Sequence, residues 1–347
     1  MTIGRRTQVG KQWISVNAAA LALAVFVSAC GGSPPEVKDP DPDSKLLQDD
    51  GKSGASSDSG GLSGVRSAIE QGKFEDAKGQ IEKLLQNKPN EPETLYYLGV
   101  VNEKLGDAAG AEAAYKKALS ADPNFAEAAE NLAALYLEGD APRADDAIGL
   151  LKNALSKTPK NPRLMQNLAY AYSLKKDYDK AAEQYDAAIA NGGDSAQLRF
   201  AYGAMLVEAD RQDKAVEQLK KALSGTDKDV ETLGALGRML GMAGAKGDCV
   251  KAFDKAIALK SDLPELYLRR GTCRQDLKDA TGARTDFEAA SKIDPKFAAA
   301  YYYWGLSFLV EKKNAEAKPL LEKAAALGGD TPVGKLARQK LGEMPKK

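Results

Sequence analysis

One spacing constrains the fold of this chain more than any other feature of its sequence. Small residues recur every 34 positions, with one interval of 36: Ala77, Ala111, Ala147, Ala181, Ala215, Cys249, Ala283 and Ala317. Four positions after each stands a large apolar residue: Ile81, Tyr115, Leu151, Tyr185, Leu219, Phe253, Phe287 and Leu321. A third row of small residues has its longer interval at the same place: Gly99, Ala133, Ala169, Gly203, Gly237, Gly271 and Gly305. Because the rows keep one register, we predict eight copies of one structural unit.

The stretch from Pro92 to Phe125 shows what is repeated. Apolar and small residues recur three and four positions apart, pause at Gly106-Asp107, and resume before they stop at Pro123. This pattern predicts two helices joined by a tight turn, in which Gly106 takes the left-handed conformation and Asp107 caps the second helix. The small residues would let the two helix backbones approach closely. The pattern resembles the tetratricopeptide repeat, a helix–turn–helix unit with a period of 34 residues.

The resemblance implies an all-α fold, a right-handed α-solenoid of about eight hairpins over residues 58–331. The units that we assign are 58–91, 92–125, 126–161, 162–195, 196–229, 230–263, 264–297 and 298–331. The first unit departs from the pattern at Gly64 and Val65, which predicts a degenerate, frayed or half-formed hairpin. The third unit has two extra residues near Gly139 and Pro142, which predict a longer turn between its helices.

The last residues, 332–347, are expected to form a capping helix and a tail. Thr331 can cap a helix that has Pro332 in its first turn. The apolar stripe of this helix would consist of Val333, Leu336, Ala337 and Leu341. Such a stripe serves either as a lid on the last hairpin or as a binding element. We interpret it as a lid, because the last hairpin would otherwise expose its open side.

Residues 1–29 have the composition of a secretory signal peptide. A basic start with Arg5-Arg6 is followed by an apolar run over 18–27 and by small residues up to Cys30. Two other interpretations are a membrane anchor, for which the run is short, and a twin-arginine signal, which lacks the expected apolar residues behind the arginine pair. Val27-Ser28-Ala29-Cys30 resembles the bacterial lipobox, which implies that Cys30 becomes the lipidated first residue of the mature chain.

Residues 30–57 are rich in Gly, Ser, Pro and Asp and have few large apolar side chains. They cannot bury enough surface to offset the entropy of ordering, so we predict a disordered tether. In proteobacterial lipoproteins, Asp directly after the lipidated Cys retains the protein in the inner membrane. Gly31 stands there in this chain. The resemblance therefore implies a lipid-anchored protein at the periplasmic face of the outer membrane.

Composition argues against several functional classes. Lys plus Arg and Asp plus Glu number 49 each, which gives no net field to attract nucleic acid. The chain has no His, so it lacks the commonest metal ligand and general base, and we expect no metal, no cofactor and no catalytic residues. The Gly-rich stretch 241–247 lacks the Gly-Lys-Ser/Thr of a phosphate loop and falls at the turn of the sixth unit.

Function is therefore expected from the surface. In tetratricopeptide repeats the first helices line an inner wall that binds peptides or partner helices. The positions that the resemblance assigns to this wall are Tyr96, Val100, Glu103, Glu130, Leu137, Gln166, Tyr170, Leu174, Phe200, Val207, Arg238, Met242, Leu268, Gln275, Tyr302, Leu306, Leu309 and Val310. For each of them, packing against a neighbouring repeat is the alternative to ligand contact. The Lys and Asn pattern by which chaperone-linked members bind a C-terminal carboxylate is not matched, since Tyr96 and Val100 occupy its first two positions.

The strongest partner contact is expected in the eighth unit. Tyr302, Leu306, Leu309 and Val310 would share one side of a helix that faces the inner wall. An exposed apolar cluster of this kind on a charged protein is typical of an interaction site. The alternative is that Leu309 and Val310 pack under the preceding repeat.

These features together favour a non-enzymatic scaffold for another envelope protein. The chain is similar to repeat lipoproteins that help assemble pilus secretins or regulate cell-wall synthesis, and the sequence does not choose between these two roles. The alternative is an envelope enzyme or a sugar-binding protein on the same scaffold. That alternative needs carboxylates such as Glu103, Glu130 and Glu138 to converge.

Cys249 and Cys273 lie in helices that the repeat makes neighbours. In an oxidising compartment they could form a disulfide, which would join a region weakened by Gly234, Gly237, Gly241, Gly244 and Gly247. The alternative is that both are small buried residues, since Cys249 stands where the other units have Ala. Both interpretations remain open from the sequence.

Overall fold

The computed structural model describes residues 59–139, 141–226 and 228–345. The predicted signal peptide, the lipid site at Cys30 and the tether lie outside the described residues. Within them the chain forms seventeen helices and no strand. The helices fall into two compact units, which we call the N-terminal unit (59–193) and the C-terminal unit (194–345).

The N-terminal unit consists of four hairpins. Its helices are α1 Ser59–Glu70, α2 Phe74–Asn87, α3 Pro92–Lys104, α4 Ala108–Ala121, α5 Ala126–Leu137, α6 Ala144–Lys157, α7 Pro162–Leu174 and α8 Tyr178–Ala190. Each odd-numbered helix packs against the helix that follows it, and the second helix of each hairpin packs against the first helix of the next. This is the all-α hairpin repeat that the periodicity predicts.

The C-terminal unit consists of four more hairpins and one further helix. Its helices are α9 Ala196–Glu208, α10 Gln212–Ser224, α11 Val230–Met242, α12 Lys246–Leu259, α13 Pro264–Asp276, α14 Ala280–Ile293, α15 Ala298–Leu309, α16 Asn314–Gly328 and α17 Pro332–Glu343. The hairpins pack in the same order as in the N-terminal unit. Helix α17 packs against both helices of the last hairpin.

The core follows the rows read from the sequence. Every member of the small row from Ala77 to Ala317 and of the large row from Ile81 to Leu321 is at most 1% exposed. A Cβ atom placed on Gly237 would lie 2.7 Å from the ring of Phe253, and one on Gly99 would overlap the ring of Tyr115. The absence of a side chain at these positions therefore permits the close contact of the two helices in a hairpin.

The turns within the hairpins also follow the period, but several have a residue other than glycine at the left-handed position. Gly106 has a positive φ of 79°, and the side chain of Asp107 accepts a hydrogen bond from the Gly110 amide at 2.9 Å, as predicted. The equivalent positions of the other regular hairpins also have positive φ: Gly72, Lys176, Asp210, Gly244, Lys278 and Lys312. Four of these are not glycine, and three are lysine, so the helix geometry on either side imposes a left-handed conformation that lysine does not indicate.

The first hairpin is complete, and the expectation that it is frayed or half-formed is wrong. Val65 is fully buried where the next hairpin has Gly99. It belongs to one core cluster with Ile81, Tyr97 and Val101. Ile81 is smaller than Tyr115, its equivalent in the next hairpin, and so leaves room for the Val65 side chain. The third unit has the longer turn that its two extra residues predict, between the end of α5 at Leu137 and the start of α6.

Helix α17 begins as predicted but buries less of its stripe. The side chain of Thr331 accepts a hydrogen bond from the Gly334 amide at 3.4 Å, and Pro332 is the first helical residue. Ala337 is fully buried, whereas Leu336 is 44% exposed, so the assignment of Leu336 to the buried stripe is wrong. Ala337 points directly at the last hairpin, and the adjacent position 336 falls on the flank of the helix.

A disulfide joins Cys249 of α12 to Cys273 of α13, with their Cα atoms 6.3 Å apart. It therefore links two successive hairpins of the C-terminal unit. A Cβ atom on Gly241 would lie 3.4 Å from the Cys249 sulfur and 3.7 Å from the Cys273 sulfur. Gly241 thus provides room for the sulfurs between the two hairpins.

Two glycine substitutions in the N-terminal unit test this packing. Gly99→Ala should lower the free energy of unfolding by about 1–3 kcal/mol, because the added methyl overlaps the Tyr115 ring. Gly149→Ala should raise it by roughly 0.5–1 kcal/mol, because nothing lies within 4 Å of the added methyl and alanine favours a helix. Urea denaturation followed by circular dichroism measures both effects. Equal effects of the two substitutions would contradict the assigned contact.

Candidate partner-binding surface

First helices of successive hairpins contact one another in each unit. The pairs are α1 with α3 and α5 with α7 in the N-terminal unit, and α9 with α11, α11 with α13 and α13 with α15 in the C-terminal unit. We call the side that these helices present, away from their hairpin partners, the first-helix surface of each unit. The predicted groove residues fall into three groups by exposure: buried, partly buried and exposed.

Three predicted groove residues are buried, and the expectation that they are free for a partner is wrong. Phe200 is 5% exposed, Leu268 is 4% exposed and Tyr302 is 7% exposed. Leu268 lies in a cluster with Ala283 and Phe287 of α14. Tyr302 lies in a cluster with Leu321 of α16 and Ala337 of α17. Neighbouring helices therefore cover these side chains. Leu137, at 2% exposed, is another wall position that the structure buries.

The predicted apolar face of the eighth unit is divided. Leu306 and Leu309 are partly buried and pack against the cluster that contains Tyr302. Val310, in contrast, lies just after α15 and is 75% exposed. The capping helix thus occupies the face that the sequence suggested for a partner, because its stripe is complementary to this end of the last hairpin. Of the four residues of this predicted face, only Val310 is exposed to solvent.

Tyr96, Val100 and Tyr170 of the N-terminal unit are partly buried. The Tyr96 ring lies 5.3 Å from the ring of Phe125 and 6.0 Å from that of Tyr115, centroid to centroid. Its hydroxyl accepts a hydrogen bond from the Asn131 amide at 3.5 Å. Tyr96 therefore also serves the packing between hairpins.

The exposed apolar side chains among the predicted wall residues share one place in the repeat. Leu174 ends α7, Met242 ends α11 and Val310 directly follows α15, each thirteenth in its unit. Their exposed fractions are 38%, 53% and 75%. Single exposed apolar residues are ordinary on protein surfaces. Their recurrence at one position of the first helix makes this edge, in each unit separately, the part of the first-helix surface best suited to an apolar partner.

A buried ion pair lies on the same surface of the N-terminal unit. Glu130 of α5 is 7% exposed and accepts a hydrogen bond from the Arg163 guanidinium of α7 at 2.7 Å. Burial raises the pKa of the Glu130 carboxyl to about 7, although Arg163 acts in the opposite direction. Arg163 was not among the predicted wall residues. It lies three positions before Gln166, and only its long side chain brings it to Glu130.

Glu130 gives the protein a testable pH dependence. Because its pKa is raised from 4.5 to about 7 in the folded chain, its contribution to stability is complete below pH 4.5 and is lost as the pH rises through 7. Between about pH 4.5 and about pH 8, the free energy of unfolding should fall by about 2 kcal/mol more in the wild type than in Glu130→Gln. Urea denaturation at both pH values measures this difference. Glu127→Gln, on the exposed side of α5, is the control, and parallel profiles for wild type and Glu130→Gln would contradict the assignment.

The carboxylates named for the enzyme alternative do not gather around Glu130. The charged groups that act on its carboxyl are Arg163 and Glu127, and Glu103 instead interacts with Tyr115. In the part of the chain that the structure describes, no group of Cys, Asp and Glu side chains is arranged to hold a metal ion. No described helix combines the length and apolar character that crossing a bilayer requires.

Comparison with known protein families agrees with this architecture. Residues 79–191 match the family model of the cytochrome c-type biogenesis protein H TPR domain, and residues 167–230 match a model of the tetratricopeptide repeat. The chain contains tetratricopeptide repeats (TPRs) over the matched residues, 79–230. The two TPR matches overlap and include residues of both compact units.

Individual relatives are distant. The TPR repeat-containing protein YpiA of Bacillus subtilis is 25% identical over 163 residues, which are 46% of this chain and 38% of YpiA. This chain therefore spans well under half the length of that relative. A TPR protein of Parabacteroides merdae has a solved structure with a TM-score of 0.50 and 17% identity, over 72% of this chain and 97% of that one. TTC0263 of Thermus thermophilus is 24% identical with a TM-score of 0.43, over 53% of this chain and 97% of that one. The Parabacteroides structure supports the fold alone.

Proposed function

We propose that this TPR protein is a non-enzymatic scaffold that binds another envelope protein through its first-helix surface. A lipid on Cys30 would hold it at the periplasmic face of the outer membrane. The observation that carries the binding proposal is the recurrence of exposed apolar side chains at one position of the first helices, Leu174, Met242 and Val310. The proposal for anchoring rests on the sequence before and after Cys30.

Photo-crosslinking in cells tests the binding surface. A benzophenone amino acid in place of Met242 should give a discrete adduct with a partner protein. Leu259 is the matched control, since it is 47% exposed against 53% for Met242 but ends the second helix of the same hairpin. The scaffold proposal fails if Met242, Leu174 and Val310 give no adduct, or if Leu259 gives the same adduct.

Mass spectrometry of the adduct identifies the partner class. A pilus secretin or a cell-wall synthase is what the resemblance to repeat lipoproteins suggests. A c-type cytochrome assembly factor is what the name of the matched family over residues 79–191 suggests. The enzyme or sugar-binding alternative has no support from the surroundings of Glu130, whose carboxyl faces an arginine.

Anchoring is tested by Cys30→Ala. Acyl chains on a lipidated cysteine hold a protein to a bilayer by about 0.8 kcal/mol per buried CH₂ group. We therefore expect the variant to move from the outer-membrane fraction to the soluble periplasmic fraction, as measured by immunoblotting of fractionated cells. Retention of Cys30→Ala in the outer-membrane fraction after a high-salt wash would refute the lipid assignment.

A further inference from the structure

Two arginines of the C-terminal unit lie on successive first helices without the partners that arginines usually have. Arg238 of α11 forms no hydrogen bond and no ion pair with any described residue. The Nε atom of Arg269 on α13 is buried and has no hydrogen-bond partner. The only ion pair of Arg269 among the described residues joins its Nη2 to Glu265, 3.2 Å away on the same helix. Buried donors in proteins are normally satisfied, so the Arg269 Nε points to a missing acceptor. The Arg238 side chain beside it is partly buried.

The two guanidinium groups also repel each other. Burial, and after it the charge of Arg269, lowers the pKa of Arg238, while Glu265 and Glu231 act in the opposite direction. These two glutamates act on Arg238 through their charge alone, and neither accepts a hydrogen bond from it. An acceptor between the two arginines would relieve the repulsion and supply the hydrogen bond that the Arg269 Nε lacks.

Other arginines of this unit show how unusual Arg238 is. Arg199 pairs with Asp194, Arg270 and Arg274 pair with Asp286, and Arg284 pairs with Glu311. Those pairs fix the side chains within and between hairpins. The Arg238 side chain instead lies along α11 beside Gly234. A Cβ atom on Gly234 would be 3.7 Å from the Nη1 of Arg238 and 3.8 Å from Leu266. The glycine therefore leaves room for the Arg238 guanidinium to lie between α11 and Leu266 of α13.

An apolar side chain adjoins this place. Met242 is four positions after Arg238, hence on the same side of α11, and is 53% exposed. Arg238 and Arg269 both lie in the middle of their helices, α11 and α13. A partner peptide that crosses both arginines can therefore extend beyond them on either side. This favours the carboxylate of a side chain over that of a C-terminus as the acceptor.

We propose that Arg238 and Arg269 bind the carboxylate of an acidic side chain in an extended segment of the partner protein, next to an apolar residue that contacts Met242. The inference rests on the proposed scaffold function and names the chemistry of the partner. Guanidinium groups suit this role, because they offer planar pairs of donors to a carboxylate and remain charged.

Titration with short peptides tests the site. The probe is the blocked peptide acetyl-Gly-Glu-Gly-Leu-Gly-amide, added at constant ionic strength while the side-chain Nε–H resonances of the arginines are followed by NMR. We expect saturable shifts at Arg238 and Arg269, with affinity at least about tenfold higher than for the same peptide with Gln in place of Glu. Arg238→Gln should lower the affinity for the Glu peptide by about tenfold or more. Arg338→Gln, an exposed arginine of α17, is the matched control and should change nothing.

Several outcomes would overturn the proposal. Equal affinity for the Glu and Gln peptides, unchanged affinity in Arg238→Gln, or no saturable shift up to the solubility limit of the peptide would each do so. Tighter binding of the Gln peptide with a free C-terminus would assign the site to a terminal carboxylate instead. The circular dichroism of Arg238→Gln should match the wild type and its thermal midpoint should not fall, because the variant removes an unpaired charge that Arg269 repels. Arg269→Gln provides a second variant for the titration.

Crosslinking separates this inference from the scaffold proposal. If the Met242 adduct persists at full yield in the Arg238→Gln background, the scaffold stands and the carboxylate site falls. If the Met242 position gives no adduct while the Glu peptide still shifts both arginines, the scaffold proposal falls and the carboxylate site remains as a property of the chain.

Discussion

Asp286→Ala should lower the free energy of unfolding of the C-terminal unit by about 3–5 kcal/mol, the cost of breaking a buried ion pair from one side. The Asp286 carboxylate is 1% exposed. It accepts hydrogen bonds from Arg270 Nε at 3.0 Å, Arg270 Nη2 at 2.6 Å and Arg274 Nη1 at 2.9 Å. Alanine would leave the two guanidinium groups facing each other with only the half-exposed Asp254 as a counterion. Guanidinium denaturation followed by circular dichroism and by the fluorescence of Trp304 measures the loss.

The same cluster contains its own control. Asp254 also pairs with Arg270, at 2.7 Å, but its side chain is 48% exposed. Exposed pairs contribute about 0–1 kcal/mol, so Asp254→Ala should have a small effect. Similar losses for the two variants would mean that burial does not determine the contribution of Asp286, and would contradict our account of the cluster.

Reduction of the Cys249–Cys273 disulfide should lower the free energy of unfolding by about 3 kcal/mol. The bond closes a loop between residues 24 apart, and a loop of this length restricts the unfolded chain by about that amount. The expected observation is a lower thermal midpoint in the presence of a phosphine reductant. Mass spectrometry with thiol labelling confirms that the bond is open in the reduced sample and closed in the other.

The double variant Cys249→Ala/Cys273→Ala controls for other effects of the reductant. Alanine fills the position of Cys249 in the other hairpins, so the variant should fold. Its thermal midpoint should be the same with and without reductant. A wild type whose midpoint does not respond to complete reduction would show that the bond contributes nothing to stability.

The periodicity predicts the helices and the core because close packing allows few solutions at each repeated position. For example, the Phe253 ring fills the space beside Gly237, which has no side chain. The conformations of the turns are harder to predict from the sequence. Lys278 and Lys312 adopt positive φ although lysine has no preference for it, so the conformation comes from the flanking helices.

The candidate surface was harder to predict than the core. The period assigned Tyr302 to a side of α15 but could not indicate what covers that side, because α17 lies outside the repeat. Phe200 and Leu268 are predicted groove residues but are buried. The cluster that contains Leu268 packs against Tyr303 of the next hairpin, a contact that the pattern of one hairpin alone does not indicate. The sequence does not single out Arg269, because the resemblance does not assign its position to the wall.

The contact between α17 and the last hairpin limits how this gene can change in length. Repeat proteins grow and shrink by duplication or loss of whole units, which is tolerated where neighbouring units are interchangeable. The side chains that receive α17 include Tyr302, Leu306 and Leu309, and the other first helices do not have this set. A duplication within the earlier hairpins keeps that contact intact. A unit inserted between residues 331 and 332 would separate α17 from its binding site, so homologues of different length should differ upstream of α15.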